Sequence, residues 1–254
     1  MKKLLTLCYA VNILILASTS ASAALVVNSP MAITHRVQVQ PIIVSNTDGS
    51  NTAEYFGNAT QQGIIEGFVD TIWAQAGIDV EFLTPNNWND TFANIGNTSP
   101  RPTSDLNTIV SNGDALGFGN ANPLVLDMYF VEISAGFANT SENTANGLAF
   151  VGGNGITQHV GDNLVSFTGG QEVVASVVSH EIGHNLGLPH IIEFENLMQP
   201  GGSANPGERL NATQISTALA SQFSVAVPEP SSAALIGLTL GFAVLRRRRN
   251  SSSN

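Results

Sequence analysis

The eleven residues from 180 to 190 constrain this chain more than any other stretch: His180-Glu181-Ile182-Gly183-His184-Asn185-Leu186-Gly187-Leu188-Pro189-His190. Three of the five histidines of the chain fall within it. It follows Val173, Val174, Val177 and Val178, whose spacing gives a helix an apolar face. On a helix, positions four apart share one face, with Cβ atoms about 5–6 Å apart. His180 and His184 can therefore each place a ring nitrogen about 2.0–2.1 Å from a single zinc ion. A continuing helix would carry position 190 away from that ion. Gly187 has no Cβ and can adopt a left-handed conformation, which turns the chain out of the helix. Pro189 blocks any resumption, leaving His190 free to approach as the third ligand. Glu181 starts on the neighbouring side of the helix and leans over the fourth, open position. The competing reading is a buried amphipathic helix whose histidines are merely satisfied polar residues. It has to accommodate three histidines in eleven residues.

The ends of the chain point to export. Lys2 and Lys3 precede a mostly apolar stretch over residues 4–17, and Ala21-Ser22-Ala23 supplies the small residues that a signal peptidase reads. This predicts a signal peptide over residues 1–23, cut after Ala23. The only cysteine, Cys8, lies inside it, so the mature chain has no disulfide and no thiol nucleophile. Any metal must then be held by histidine, carboxylate or backbone oxygen. At the other end, Val227-Pro228-Glu229-Pro230-Ser231 precedes an apolar stretch over residues 233–245 and the block Arg246 to Arg249. That apolar stretch is shorter than the ~20 residues of a membrane span, yet an arginine block is what holds such a segment with its end in the cytoplasm. With both ends removed, Arg36, Arg101 and Arg209 face eighteen of the nineteen acidic residues, a net charge of −15. Such a body argues against nucleic acid and anionic lipid surfaces as partners.

Between the ends the pattern is that of one domain over residues 24–226, without internal repeats. Residues 33–45 alternate and are rich in β-branched side chains, which predicts a strand. Residues 60–76 carry Ile64, Ile65, Phe68, Ile72 and Trp73 at helical spacing, ended by Gly77, and residues 78–83 read as a second strand. Residues 84–122 are rich in Asn, Gly and Pro and read as irregular, with a short helix near residues 104–111. Residues 124–133, 148–151 and 164–167 read as strands, residues 170–186 as the histidine-bearing helix, and residues 211–223 as a final helix. Strands interleaved with helices indicate an α+β (α/β-like) domain with one mixed sheet. Asp48 and Asn51 are of types that bind Ca2+, but no D-x-[DN]-x-[DN]-G loop organises them. His159, in a Gly-rich stretch, reads as structural or exposed, and Glu193 and Glu195 as supporting or solvated residues.

The extended motif H-E-x-x-H-x-x-G-x-x-H, matched at His180, Glu181, His184, Gly187 and His190, resembles that of the metzincin clan of zinc endopeptidases. The resemblance implies a metzincin-type catalytic domain: one twisted mixed sheet of about five strands, an active-site helix and a C-terminal helix. It implies one catalytic Zn2+ on the three histidines, Glu181 as general base, and a protein or peptide substrate. It also implies a Met-turn beneath the metal, and Met198 in Asn196-Leu197-Met198 is its candidate. By the same analogy an extended substrate pairs with an edge strand above the helix, for which Leu148, Ala149, Phe150 and Val151 are the candidates. Pro200 stands where some members of the clan carry a tyrosine that assists the metal, so that help is missing here.

The tail over residues 228–249 resembles the PEP-CTERM sorting signals of Gram-negative bacteria, with the Pro-Glu-Pro triplet, short apolar run and arginine cluster in order. It assigns residues 227–254 to a sorting tail. The resemblance implies transient inner-membrane anchoring, processing by an exosortase, and arrival at the cell surface or extracellular matrix. The expected function is thus a secreted zinc metalloendopeptidase. The alternative is a catalytically silent matrix or surface protein with a metzincin-like fold.

Overall fold

Strand β1 (His35–Ser45) organises the sheet. It pairs in parallel with β2 (Ile78–Phe82), β3 (Asn86–Asn89) and β4 (Leu126–Phe130), and antiparallel with β7 (Val225–Ala226). Beyond β4 lie the parallel β6 (Ile156–Gln158) and then the antiparallel β5 (Gly147–Ala149), giving the order β2-β1-β4-β6-β5. β2 and β3 line one flank of β1 in succession, and Pro41, which has no N–H to offer, falls in the gap between them. The computed structural model describes residues 25–95, 102–132, 147–159, 170–200 and 207–227.

Alternation along the strands divides the side chains between two faces. Val37, Val39, Leu126, Met128 and Phe130 face one side, where α1 (Ala59–Ala74), α4 (Gln171–Asn185) and α5 (Ala212–Ala220) pack. Ile42, Val44, Tyr129 and Val131 face the other, against α2 (Thr91–Ile95) and α3 (Pro102–Ala115). The larger core joins Ile65, Val69, Ile72 and Trp73 of α1 to Val174, Ala175, Val178 and Ile182 of α4. Each such large aliphatic or aromatic side chain contributes roughly 1.5–3 kcal/mol on burial. Asn58 caps α1 in a capping box with Gln61, and Asn211 caps α5 in another with Gln214, each worth about 1 kcal/mol. Helix α4 is buried on most sides, Glu181 and His184 included, so its position is fixed by the core around it.

The architecture is the α+β class with one mixed sheet, as expected; among the described residues the sheet has seven strands where about five were expected. The stretch over residues 84–122, expected to be irregular, contains β3, α2 and a longer α3. The strand β3 (Asn86–Asn89) has Trp88 as its single apolar residue, and pairing with β1 overrides its poor strand composition. The strand expected over residues 148–151 is shifted and shorter: Phe150 and Val151 belong to the turn that follows β5, because Gly152 to Gly155 close a tight hairpin. β6 was missed for its brevity. The strand expected over residues 164–167 lies outside the described residues. Among the described residues no helix is long and apolar enough to cross a membrane.

Candidate metal centre

Helix α4 ends in a Schellman turn. Gly187 N–H donates to the His184 carbonyl at 2.9 Å and Leu188 N–H to the Gly183 carbonyl at 2.9 Å, with Gly187 at φ +92°. A side chain at that φ would be strained. The turn delivers two things. It directs the chain so that His190 comes back beside the helix, and it presents the Leu188 carbonyl to His184 Nδ1 at 2.8 Å. The loop after His190 supplies the matching partner for the first histidine, since His180 Nδ1 lies 2.7 Å from the Leu197 carbonyl.

Carbonyls only accept, so these contacts place a proton on Nδ1 of His180 and of His184 and leave each Nε2 with a bare lone pair. His180 Nε2 and His184 Nε2 lie 3.2 Å and 3.1 Å from His190 Nε2. Three nitrogens held at about 2.0–2.1 Å around a tetrahedral ion would stand about 3.3 Å apart. A proton on His190 Nε2 satisfies one of the two bare lone pairs and not both, whereas a shared cation satisfies all three nitrogens. The donor set therefore fits a divalent metal, and the cluster is the one group of such side chains with metal-binding geometry among the described residues. Burial holds the His180 imidazole down at about 4, with the nearby His184 and His190 rings adding to the effect; burial also lowers His184. Both rings are neutral at pH 7, the state in which imidazole is a ligand.

Glu181 follows His180 on the same helix. It is 6% exposed, its Oε2 is buried with no protein partner, and burial pushes its carboxyl up to about 8. The strand β5 passes directly over it: a Cβ on Gly147 would lie 2.7 Å from Glu181 Cγ. Met198 is fully buried against the helix, where a Cβ on Gly183 would come within 2.5 Å of its Sδ. The loop that carries Met198 is tied by Asn196, whose amide exchanges two hydrogen bonds with Gln214 of α5 at 2.9 Å and whose Oδ1 accepts from Met198 N–H at 2.9 Å.

The three histidines of the motif thus come together, with Gly187 at the turn that brings His190 back to the helix. Among the described residues β5 is the edge of the sheet. His159 stays apart, its Nδ1 3.1 Å from the Val131 carbonyl. Glu193 accepts from Asn196 and Asn211, and Glu195 pairs with Arg209 at 2.8 Å. Asp48 hydrogen-bonds only within its own turn, to Ser50. Sequence reasoning missed Gly183 and Asn196, and passed over Asn185 as a spacer within the motif.

Residues 84–191 match the family model described as metallo-peptidase family M12B, reprolysin-like. Over these residues the chain is similar to a reprolysin-like metallopeptidase domain. Within it the match takes in all three histidines and Glu181, and it stops short of Met198. Residues 226–249 match the PEP-CTERM protein-sorting motif, so the tail is a sorting signal. Similar solved structures include metalloproteinase-II from Bacteroides fragilis, at 15% identity and TM-score 0.48, covering 78% of this chain and 57% of that one. The chain thus spans little more than half the length of that protein. Two archaemetzincins are also similar. That of Archaeoglobus fulgidus, complexed with malonate, has 16% identity and TM-score 0.43 over 72% of this chain and 99% of that one. That of Methanopyrus kandleri has 14% identity and TM-score 0.49 over 72% and 93%. No curated protein matches the chain.

Proposed function

We propose that the metallopeptidase domain is a zinc-dependent endopeptidase, with His180, His184 and His190 as ligands and Glu181 as general base. The observation that carries this reading is the convergence of three histidine Nε2 atoms, those of His180 and His184 at 3.2 Å and 3.1 Å from that of His190, while Nδ1 of His180 and of His184 is turned to a carbonyl. A bound zinc ion supplies Lewis acidity, polarising a carbonyl and lowering the pKa of water toward 7. The protein's own part is positioning and proton transfer. The Leu197 and Leu188 carbonyls fix the tautomer and tilt of two imidazoles. Glu181, kept ionised by a bound cation, takes the proton of the attacking water and gives it to the leaving amine. Met198 forms the floor as the Met-turn residue. The edge strand β5, with Leu148 and Ala149 in it and Phe150 and Val151 in the turn beyond, binds an extended peptide through main-chain hydrogen bonds. The chain is cut after Ala23 on export, held briefly by its tail in the inner membrane, and released by an exosortase to the cell surface or matrix.

The test is cleavage of casein or a peptide library by purified protein. Cleavage that a chelator stops and zinc restores is expected, and Glu181→Ala should keep its metal while losing roughly 10²–10⁴ in rate. Indistinguishable, chelator-insensitive behaviour of the two proteins would leave the silent-scaffold alternative standing.

A further inference from the structure

Asn185 follows the second histidine directly and is fully buried. Its Nδ2 donates to the carbonyls of Phe150 at 2.9 Å and Gly155 at 3.2 Å, the two residues that close the β5–β6 hairpin through Phe150 N–H to the Gly155 carbonyl at 3.3 Å. One residue earlier, the His184 carbonyl accepts from Gly152 N–H at 2.8 Å. Three hydrogen bonds therefore run from the last turn of α4 to the far end of β5. The near end is set by close approach, because Gly147 leaves no room for a Cβ above Glu181. The strand is thus fixed to the helix at both ends, one end at Glu181 and the other beside His184.

We infer that Asn185 is a positioning residue for substrate: it sets the height and register of β5 over α4, and so where a bound peptide lies relative to Glu181. The inference rests on the reading of β5 as the substrate strand. Two features separate this role from mere support of the fold. Asn185 hydrogen-bonds to none of the three metal-facing nitrogens, and the hairpin has a second anchor on the sheet. Asn154 Nδ2 donates to the Val125 carbonyl and to Asp127 Oδ2, while its Oδ1 accepts from Asp127 N–H. Without the Asn185 donors the hairpin stays attached to β4 and keeps one hydrogen bond to the helix, Gly152 N–H to the His184 carbonyl, about which it can shift.

The experiment compares wild type, Asn185→Leu and Asn185→Ser on peptides long enough to pair along β5 and on short ones that reach only the cleavage point. Metal content is measured for each protein. With two hydrogen bonds lost, kcat/KM on long peptides should fall by about 10- to 30-fold, carried by KM. Bound metal and the short-peptide rate should stay within about twofold of wild type, and Asn185→Ser should fall between the other two. Asn154→Ala, which loosens the hairpin from the sheet side, should give the same long-peptide signature more weakly. Equal losses on long and short peptides, loss of metal with loss of activity, or unchanged KM would overturn the inference. A wild type that cleaves no peptide would instead overturn the proposed function. Should Asn185→Leu fail to fold, the Asn185→Ser and Asn154→Ala pair decides the matter by the same criteria.

Discussion

Two loops grip the metal helix, and they grip different things. The loop after His190 holds ring nitrogens: the Leu197 carbonyl takes His180 Nδ1, and Asn196 steadies the segment from below. The β5–β6 hairpin holds backbone and one amide: it meets the His184 carbonyl and Asn185 Nδ2 and touches no imidazole. Damage to the first loop should therefore be felt as lost metal, and damage to the hairpin as lost substrate binding. On the proposed function, a site built on two such attachments can alter the strand that would bind substrate without disturbing the ion that the histidines would hold.

The sharpest break of this comparison is His184→Ala, which deletes a ligand and leaves the hairpin bonds to the 184 and 185 backbone and amide in place. Metal content and peptide cleavage should vanish together. The expected fall in kcat/KM is at least ~10³-fold, since loss of the ion removes several kcal/mol of transition-state stabilisation. Retention of metal with only a rise in KM would show that the division between the two loops is false.

On the hairpin side the anchor carries a pH dependence. Asp127 is 2% exposed, and burial raises its carboxyl to about 6, with Asp114 adding to the effect, against an ordinary value of 3.8. An acid raised in the folded state binds its proton more tightly folded than unfolded. Its ionisation therefore costs stability progressively as pH rises from about 4 to about 6, and the cost is in full force above that. The shift corresponds to about 3 kcal/mol at most. Denaturant unfolding of wild type and Asp127→Asn at pH 4, 5, 6 and 7 should show a stability difference that changes across this window and flattens beyond it. A difference independent of pH would mean that Asp127 ionises normally in the folded protein.

The histidine motif itself was far more legible than either of the loops that hold it. The i, i+4 histidines, Gly187 and Pro189 lie within eleven residues, so local geometry alone constrained the site. Strands β1, β2 and β4 and helices α1 and α5 announced themselves through alternation, helical spacing and capping residues. Asn185 did not, because the carbonyls it satisfies are 35 and 30 residues earlier and a lone buried amide leaves no periodic trace. β3 and β6 are short strands made by their partners, Asn86 to Asn89 most of all, where only Trp88 hints at burial. Glu181 was legible as a catalytic type from the motif. Its orphaned Oε2 depends on Gly147, brought over it by a strand order that no local signal encodes.

The gentlest test lies in the floor loop. Asn196→Ala would leave Met198 N–H and Gln214 Nε2 buried without the acceptor they now share, at a cost of about 1–3 kcal/mol. For a domain of this size each kcal/mol lowers Tm by about 2–4 °C. The variant should therefore unfold several degrees earlier and bind metal about 10- to 100-fold more weakly, as expected when support behind a ligand is lost. At saturating zinc its KM for long peptides should match wild type. That last value separates the two loops most finely, because Asn196 acts on the Leu197 carbonyl and hence on His180, while β5 keeps its own attachments at Asn185 and Asn154. A raised KM at saturating metal would mean that the floor and the substrate strand move as one body.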